Sequence, residues 1–205
     1  MRIELQQVSK KFNRQWLFRN ISFSFNEQHS YAIVGNNGSG KSTLLQMIYG
    51  FQTISSGKII LHNGHQLLGE EQVFQHTSFV APYLELLEDY TLKEMLQFHF
   101  QFKQIQGNLS IDDMMVLCKL ENNRDKQIKL FSSGMKQRLK LALVFFSNTP
   151  LILLDEPCSN LDMQGIQWYQ EMVKEVIGKR TLIIASNQKF EYDFCDDELR
   201  IEDYK

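Results

Sequence analysis

Apolar and polar positions alternate with a two-residue period at the start of the chain. Arg2-Ile3-Glu4-Leu5-Gln6-Gln7-Val8 reads as a half-buried strand, and Leu17–Phe25, with its Ile21-Ser22-Phe23-Ser24-Phe25, as a second. Four shorter runs lose the alternation. Tyr31–Val34, Thr77–Ala81, Leu151–Leu154 and Thr181–Ala185 are mostly apolar throughout, as in strands covered on both faces. Lys58–His62 is a further strand, entered by the Ser56-Gly57 turn and closed by the hairpin signal Asn63-Gly64. Between these runs the spacing becomes helical. Thr43–Tyr49 reads as a helix ending at Gly50, and Leu84–Lys129 as a largely helical stretch. Ser132 to about Ser147 is a helix stopped by Thr149-Pro150, and Asp162–Ile177 one closed by Gly178. Thr91 with Glu94 fits a capping box, and Ser110 with Asp113 a weaker one. Strands alternating with helices predict a parallel sheet with helices on both faces.

Composition narrows the class of protein. With 205 residues the chain has room for one α/β domain with a real core. The formal charge of −2 provides no basic footprint for nucleic acid. The longest apolar run, Leu141–Phe146, is far short of the roughly 20 residues that a membrane span needs. Met1-Arg2-Ile3-Glu4 does not read as a signal peptide. Cys118, Cys158 and Cys195 lie far apart with no C-x-x-C, which predicts reduced thiols in a cytosolic protein.

The most informative residues are Gly35-Asn36-Asn37-Gly38-Ser39-Gly40-Lys41-Ser42-Thr43, which match the phosphate-binding pattern G-x-x-x-x-G-K-[ST]. A buried strand precedes them and a helix follows, the context this pattern requires. Glycines let successive N–H groups converge on one anion, and the helix start adds its dipole. Lys41 is placed to reach the β and γ phosphates of a nucleotide, and the Ser42 hydroxyl to bind Mg²⁺. Leu151–Glu156 is an apolar strand ending in two acids at the sheet edge where ligands bind. Asp155 there suits Mg²⁺ held through water, and Glu156 suits polarising an attacking water. Alone, the pair reads equally well as an acidic turn; the glycine loop favours the catalytic reading. Ser132-Ser133-Gly134 opens a helix and reads either as a serine cap or as a second anion site.

Taken in order, the glycine loop, Phe131-Ser132-Ser133-Gly134-Met135, Leu151–Glu156 and Ser159-Asn160-Leu161-Asp162 resemble the ATP-binding cassette (ABC) ATPases over essentially the whole chain. The family signature usually reads Leu-Ser-Gly-Gly-Gln, so Ser133 and Met135 depart from it. The resemblance implies an α/β P-loop NTPase of ABC type. Its core would be a mainly parallel sheet with an antiparallel N-terminal β part, carrying a small helical subdomain inserted at about 84–147. It implies ATP and Mg²⁺ as cofactors, with ATP sandwiched between the glycine loop of one copy and Ser132, Ser133 and Gly134 of another. The partner cassette is a second copy of the chain or a paired cassette. Phe12 falls where the family places an aromatic ring against adenine, Asp162 would couple the two sites, and Glu156 would be general base.

Two family positions differ. Pro82 stands where a glutamine usually meets Mg²⁺ and the attacking water, with Tyr83 and Glu85 as nearby substitutes. Asn187 stands where a histidine usually touches the γ-phosphate; it can hydrogen-bond but carries no charge. These departures imply intact nucleotide binding with slow hydrolysis. The resemblance favours the cytosolic nucleotide-binding subunit of a transporter, peripheral at the inner face of the membrane. Tyr83–Tyr90 would receive a membrane permease or, alternatively, pack as a core helix. A soluble ATP-gated clamp or regulator is the other functional class. A nucleotide kinase would leave Ser132–Met135 and Ser159–Asp162 unexplained.

Overall fold

A computed structural model describes residues 1–205. β1 (Arg2–Phe12) and β2 (Gln15–Phe25) form an antiparallel hairpin, followed by β3 (Ser30–Val34) and α1 (Lys41–Tyr49). β4 (Ser56–Asn63), β5 (Gln66–Leu67), α2 (Glu70–His76) and β6 (Thr77–Val80) lead into α3 (Leu92–His99), α4 (Ile111–Leu117) and α5 (Ser133–Phe145). The chain finishes with β7 (Leu151–Asp155), α6 (Met163–Lys174), β8 (Thr181–Ala185), β9 (Asp197–Arg200) and a 3₁₀ turn at Ile201–Tyr204.

The strands form two sheets. The first is antiparallel, in the order β2-β1-β4-β5; the second is parallel, in the order β6-β7-β8-β3-β9. In the parallel sheet Val80 pairs with Leu154, Asp155 with Ala185, Ile33 with Ala185 and Val34 with Arg200. The carboxyl ends of these strands are therefore level, and the segments that leave them emerge along one edge.

The continuous apolar runs have a direct cause. Along β7, Leu151 and Leu153 face one core with Ile33, Ile183 and the α1 residues Leu44, Leu45 and Ile48. Ile152 and Leu154 face a second core with Leu182, Ile184 and residues of α3 to α6. Both faces of the strand are covered, so no position is left for a polar side chain. Each fully buried Leu or Ile adds about 1.5–3 kcal/mol, so the four buried apolar residues of α1 clamp the glycine loop to the sheet.

Several boundaries differ from the sequence expectation. β1 continues to Phe12 because register shifts after Leu5, Val8 and Lys10 break the two-residue alternation without ending the pairing. The stretch 84–129 contains only α3, α4 and two 3₁₀ turns, joined by turns and irregular backbone. α2 and β9 were not evident from periodicity. In β9 only Leu199 is buried, as suits a polar edge strand.

Candidate functional site

β3 delivers Gly35–Gly40 to the sheet edge, and α1 begins at Lys41. Gly40 caps α1 with φ +115°, and a Cβ there would lie 2.9 Å from Leu17 and Phe18 of β2. Only glycine suits this turn and this close approach. Lys41 is 5% exposed, and its ammonium donates to the carbonyls of Gly35 (2.8 Å) and Asn36 (3.2 Å). No carboxylate pairs with it. The Ser39 hydroxyl is buried and has no hydrogen-bond partner. An enclosed cation and an orphaned hydroxyl in one loop suit a polyphosphate.

Ser42 donates from α1 to Asp155 Oδ1 at 2.9 Å. Asp155 is 1% exposed. Burial pushes its carboxyl up to about 6, while the Ser42 hydrogen bond and the Lys41 charge act in the opposite direction. No group of three or more His, Cys, Asp or Glu side chains forms a metal cage. A hydroxyl and one carboxylate suit Mg²⁺, which takes few protein ligands and draws the rest of its shell from phosphate and water. Glu156 follows with φ +44°, a left-handed conformation unusual for a residue with a Cβ. Its N–H donates to Ala185 O at 2.9 Å, extending the β7–β8 ladder by one residue.

Asn187 Nδ2 donates to Asn37 Oδ1 at 2.9 Å, joining the loop after β8 to the tip of the glycine loop. Pro82 keeps the place after β6, and its carbonyl accepts from Lys140 Nζ at 3.0 Å. The Tyr83 hydroxyl accepts from Gln46 Nε2 at 2.7 Å.

Ser132 caps α5, accepting from Met135 N at 3.2 Å. A Cβ on Gly134 would meet the Asn160 carbonyl at 2.9 Å, so this position admits only a bare backbone. Gln137 donates to Pro157 O at 2.7 Å. Asp162 caps α6, accepting from Gly165 N at 2.7 Å, and lies 3.8 Å from Arg138. The start of α5 is thus tied to residues 157–162. No hydrogen bond joins Ser132, Ser133 or Gly134 to Gly35–Thr43 within the chain. Phe12 ends β1 half exposed, with the Lys10 ammonium 4.9 Å from its ring centre.

Two acids escaped the sequence reading. Glu202 accepts from Asn36 N at 2.6 Å, and this bond holds its carboxyl below the usual range. Glu191 is buried; it accepts from Cys158 N at 2.8 Å and from the Ser186 hydroxyl, and burial raises its carboxyl. Neither lies in a local motif.

A sequence model of the ABC transporter family matches residues 18–159. An uncharacterised ABC transporter ATP-binding protein of Bacillus subtilis, YybJ, is 30% identical over 196 residues, 95% of this chain and 89% of that one. The lantibiotic transport ATP-binding protein SrtF of Streptococcus pyogenes is 27% identical, over 90% of this chain and 79% of its own. Among solved structures, a putative ABC transporter ATP-binding protein from Pyrococcus furiosus superposes with TM-score 0.82 at 20% identity, over the whole of both chains. A dimeric bacterial ABC transporter cassette superposes with TM-score 0.81 at 21% identity, over 97% of this chain and 94% of that one. At these identities the structures establish the fold alone.

Proposed function

This chain belongs to the ABC transporter family, and we propose that it is the ATP-hydrolysing subunit that drives a separate membrane permease. The observation that carries this reading is the buried Lys41 beside the Ser42–Asp155 pair, with Glu156 next in sequence at the same sheet edge. Backbone N–H groups of Gly38–Thr43 and the Lys41 ammonium bind the phosphates. Ser42 and Asp155 would hold Mg²⁺, which would supply charge neutralisation at the phosphate oxygens. Glu156 orients a water in line with the γ-phosphate and accepts its proton as the oxygen attacks phosphorus and the bond to ADP breaks. Asn187 donates an amide hydrogen bond to the γ-phosphate in place of a charged one, so turnover is slow.

Ser132, Ser133 and Gly134 act in trans on the nucleotide of a second cassette, and Asp162 couples the two sites. Phe12 stacks on adenine. Residues 84–147 form the helical subdomain. Where it meets α1 and β6, a largely apolar cavity of about 200 Å³, lined by residues including Tyr49, Phe79, Leu84, Leu86, Met95 and Val144, receives the permease. The subunit works at the inner face of the cell membrane; no helix is long and apolar enough to cross it.

The test is Glu156→Gln, which keeps the nucleotide site but lacks the base. With Mg-ATP, and with the permease present, size-exclusion chromatography coupled to light scattering should show a stable cassette pair. A variant that stays monomeric at saturating Mg-ATP defeats the sandwich reading.

A further inference from the structure

The segment that follows β9 meets the glycine loop at a contact that no motif assigns. β9 runs parallel to β3, and Val34 pairs with Arg200 as the last step of the ladder. Asn36 and Glu202 therefore stand level, each two residues further along. The 3₁₀ turn at Ile201–Tyr204 carries the β9 backbone away, so no main-chain carbonyl continues the ladder to Asn36. The Glu202 side chain takes that place and accepts from Asn36 N at 2.6 Å. Ile201 is fully buried in the same core as Ile33 and Leu44, which fixes the base of the turn. Arg200 pairs with Glu198 rather than with Glu202. The carboxylate lies against the bare Cα of Gly35: a Cβ there would come within 2.8 Å of Glu202 Oε2.

The bond reaches further than one N–H. The Asn36 N–H and the Gly35 carbonyl belong to one planar trans peptide, in which they point in opposite directions. That carbonyl accepts from Lys41 Nζ at 2.8 Å. Glu202 thus grips one side of the peptide and Lys41 the other. Gly35, at φ +153°, has no side chain to limit its rotation, so the peptide plane needs an outside anchor. The next carbonyl, that of Asn36, accepts from Ser39 N at 3.0 Å and from Lys41 Nζ at 3.2 Å, so the turn of the loop is built on the same segment. The Asn36 donation holds the Glu202 carboxyl below the usual range, and hydrogen bonds to an ionised acceptor are roughly twice as strong as neutral ones.

We propose that Glu202 is a positioning residue that fixes the Gly35–Asn36 peptide and, through it, keeps Lys41 and the glycine loop in the phosphate-binding arrangement. This rests on the reading of Gly38–Thr43 and Lys41 as the phosphate site. Without the anchor the peptide turns over, only part of the population keeps the loop set, and apparent affinity falls with that fraction.

The experiment titrates the whole 205-residue chain with a fluorescent ATP analogue and Mg²⁺, and follows amide exchange by NMR. Glu202→Ala should weaken nucleotide binding about tenfold, as expected when a bond to a charged acceptor is lost. It should speed exchange at the Asn36 amide and leave Ile33 in β3 protected. Glu202→Gln, which keeps an accepting oxygen, should recover most of the affinity. Asp203→Asn, which removes the same charge from the exposed neighbouring residue, should bind as the natural chain does. Binding by Glu202→Ala within about twofold of the natural chain, against that tenfold expectation, overturns the proposal. Tighter binding overturns it too, because the carboxylate would then repel phosphate. So does an equal loss in Asp203→Asn, which would make net charge the cause. Failure of the natural chain itself to bind the analogue overturns the phosphate-site reading instead, so the two failures are distinguishable.

Discussion

Glu156 holds φ near +44°, a left-handed conformation that costs an L-residue about 1–2 kcal/mol. Asparagine enters this region more readily than other residues with a Cβ. Glu156→Asn should therefore recover part of the cost, about 1 kcal/mol, whereas Glu156→Gln keeps the strain. Both variants remove the same negative charge, which presses on the buried carboxylates Asp155 and Glu191. The difference between them isolates the backbone contribution. For a chain of this size, 1 kcal/mol corresponds to about 2–4 °C in Tm. Thermal unfolding of the nucleotide-free protein at pH 7.5 should rank Glu156→Asn above Glu156→Gln by that margin. Turnover should fall at least about a hundredfold in both, as expected when a general base is lost. Equal Tm values for the two variants would refute the claim that the turn at Glu156 stores backbone strain.

Two further predictions follow from the same edge of the sheet. Burial lifts the Asp155 carboxyl from its ordinary value of 3.8 to about 6. The folded state thus binds this proton more tightly than the unfolded chain, and that stabilisation is complete below about pH 4 and lost as pH rises through about 6. Asp155→Asn should stabilise the nucleotide-free protein at pH 7.5 and give no gain near pH 4; a gain independent of pH in urea denaturation would contradict the assignment. Asn187→His replaces a neutral donor by one that can carry charge, and charge-assisted bonds are roughly twice as strong. Phosphate release should rise about tenfold; an unchanged rate defeats the proposal that Asn187 makes hydrolysis slow.

What sequence reading recovered and what it missed have physical causes. The glycine loop and the Leu151–Glu156 strand were readable because their information is local: a turn that demands glycine, and a strand apolar on both faces. The helical segment from Ser132 and the strand Thr181–Ala185 were readable for the same reason. β9 was hidden because Asp197-Glu198-Leu199-Arg200 buries one side chain and pairs along a single edge with β3. The long helical reading of 84–129 failed because capping signals mark starts correctly at Thr91 and Ser110 but say little about length. Both helices end within 8 residues. The Gln46–Tyr83, Cys158–Glu191 and Asn36–Glu202 contacts span 37, 33 and 166 residues. No periodicity within a window of one element could reveal them.

The Asn36–Glu202 bond has a consequence for when the protein becomes competent. β3 and its loop are made early in synthesis, yet β3 is flanked by β8 and β9, and the Asn36 N–H of the loop is held by Glu202. Until residues 181–202 have left the ribosome, β3 lacks both neighbours and Asn36 lacks its acceptor. Such distant pairings form late, because the chain must close a long loop before any contact rewards it. A nascent or truncated chain therefore carries the full phosphate-binding motif without a set binding site. Acquisition of nucleotide affinity then waits on the synthesis of residues 181–202, not on that of the loop itself.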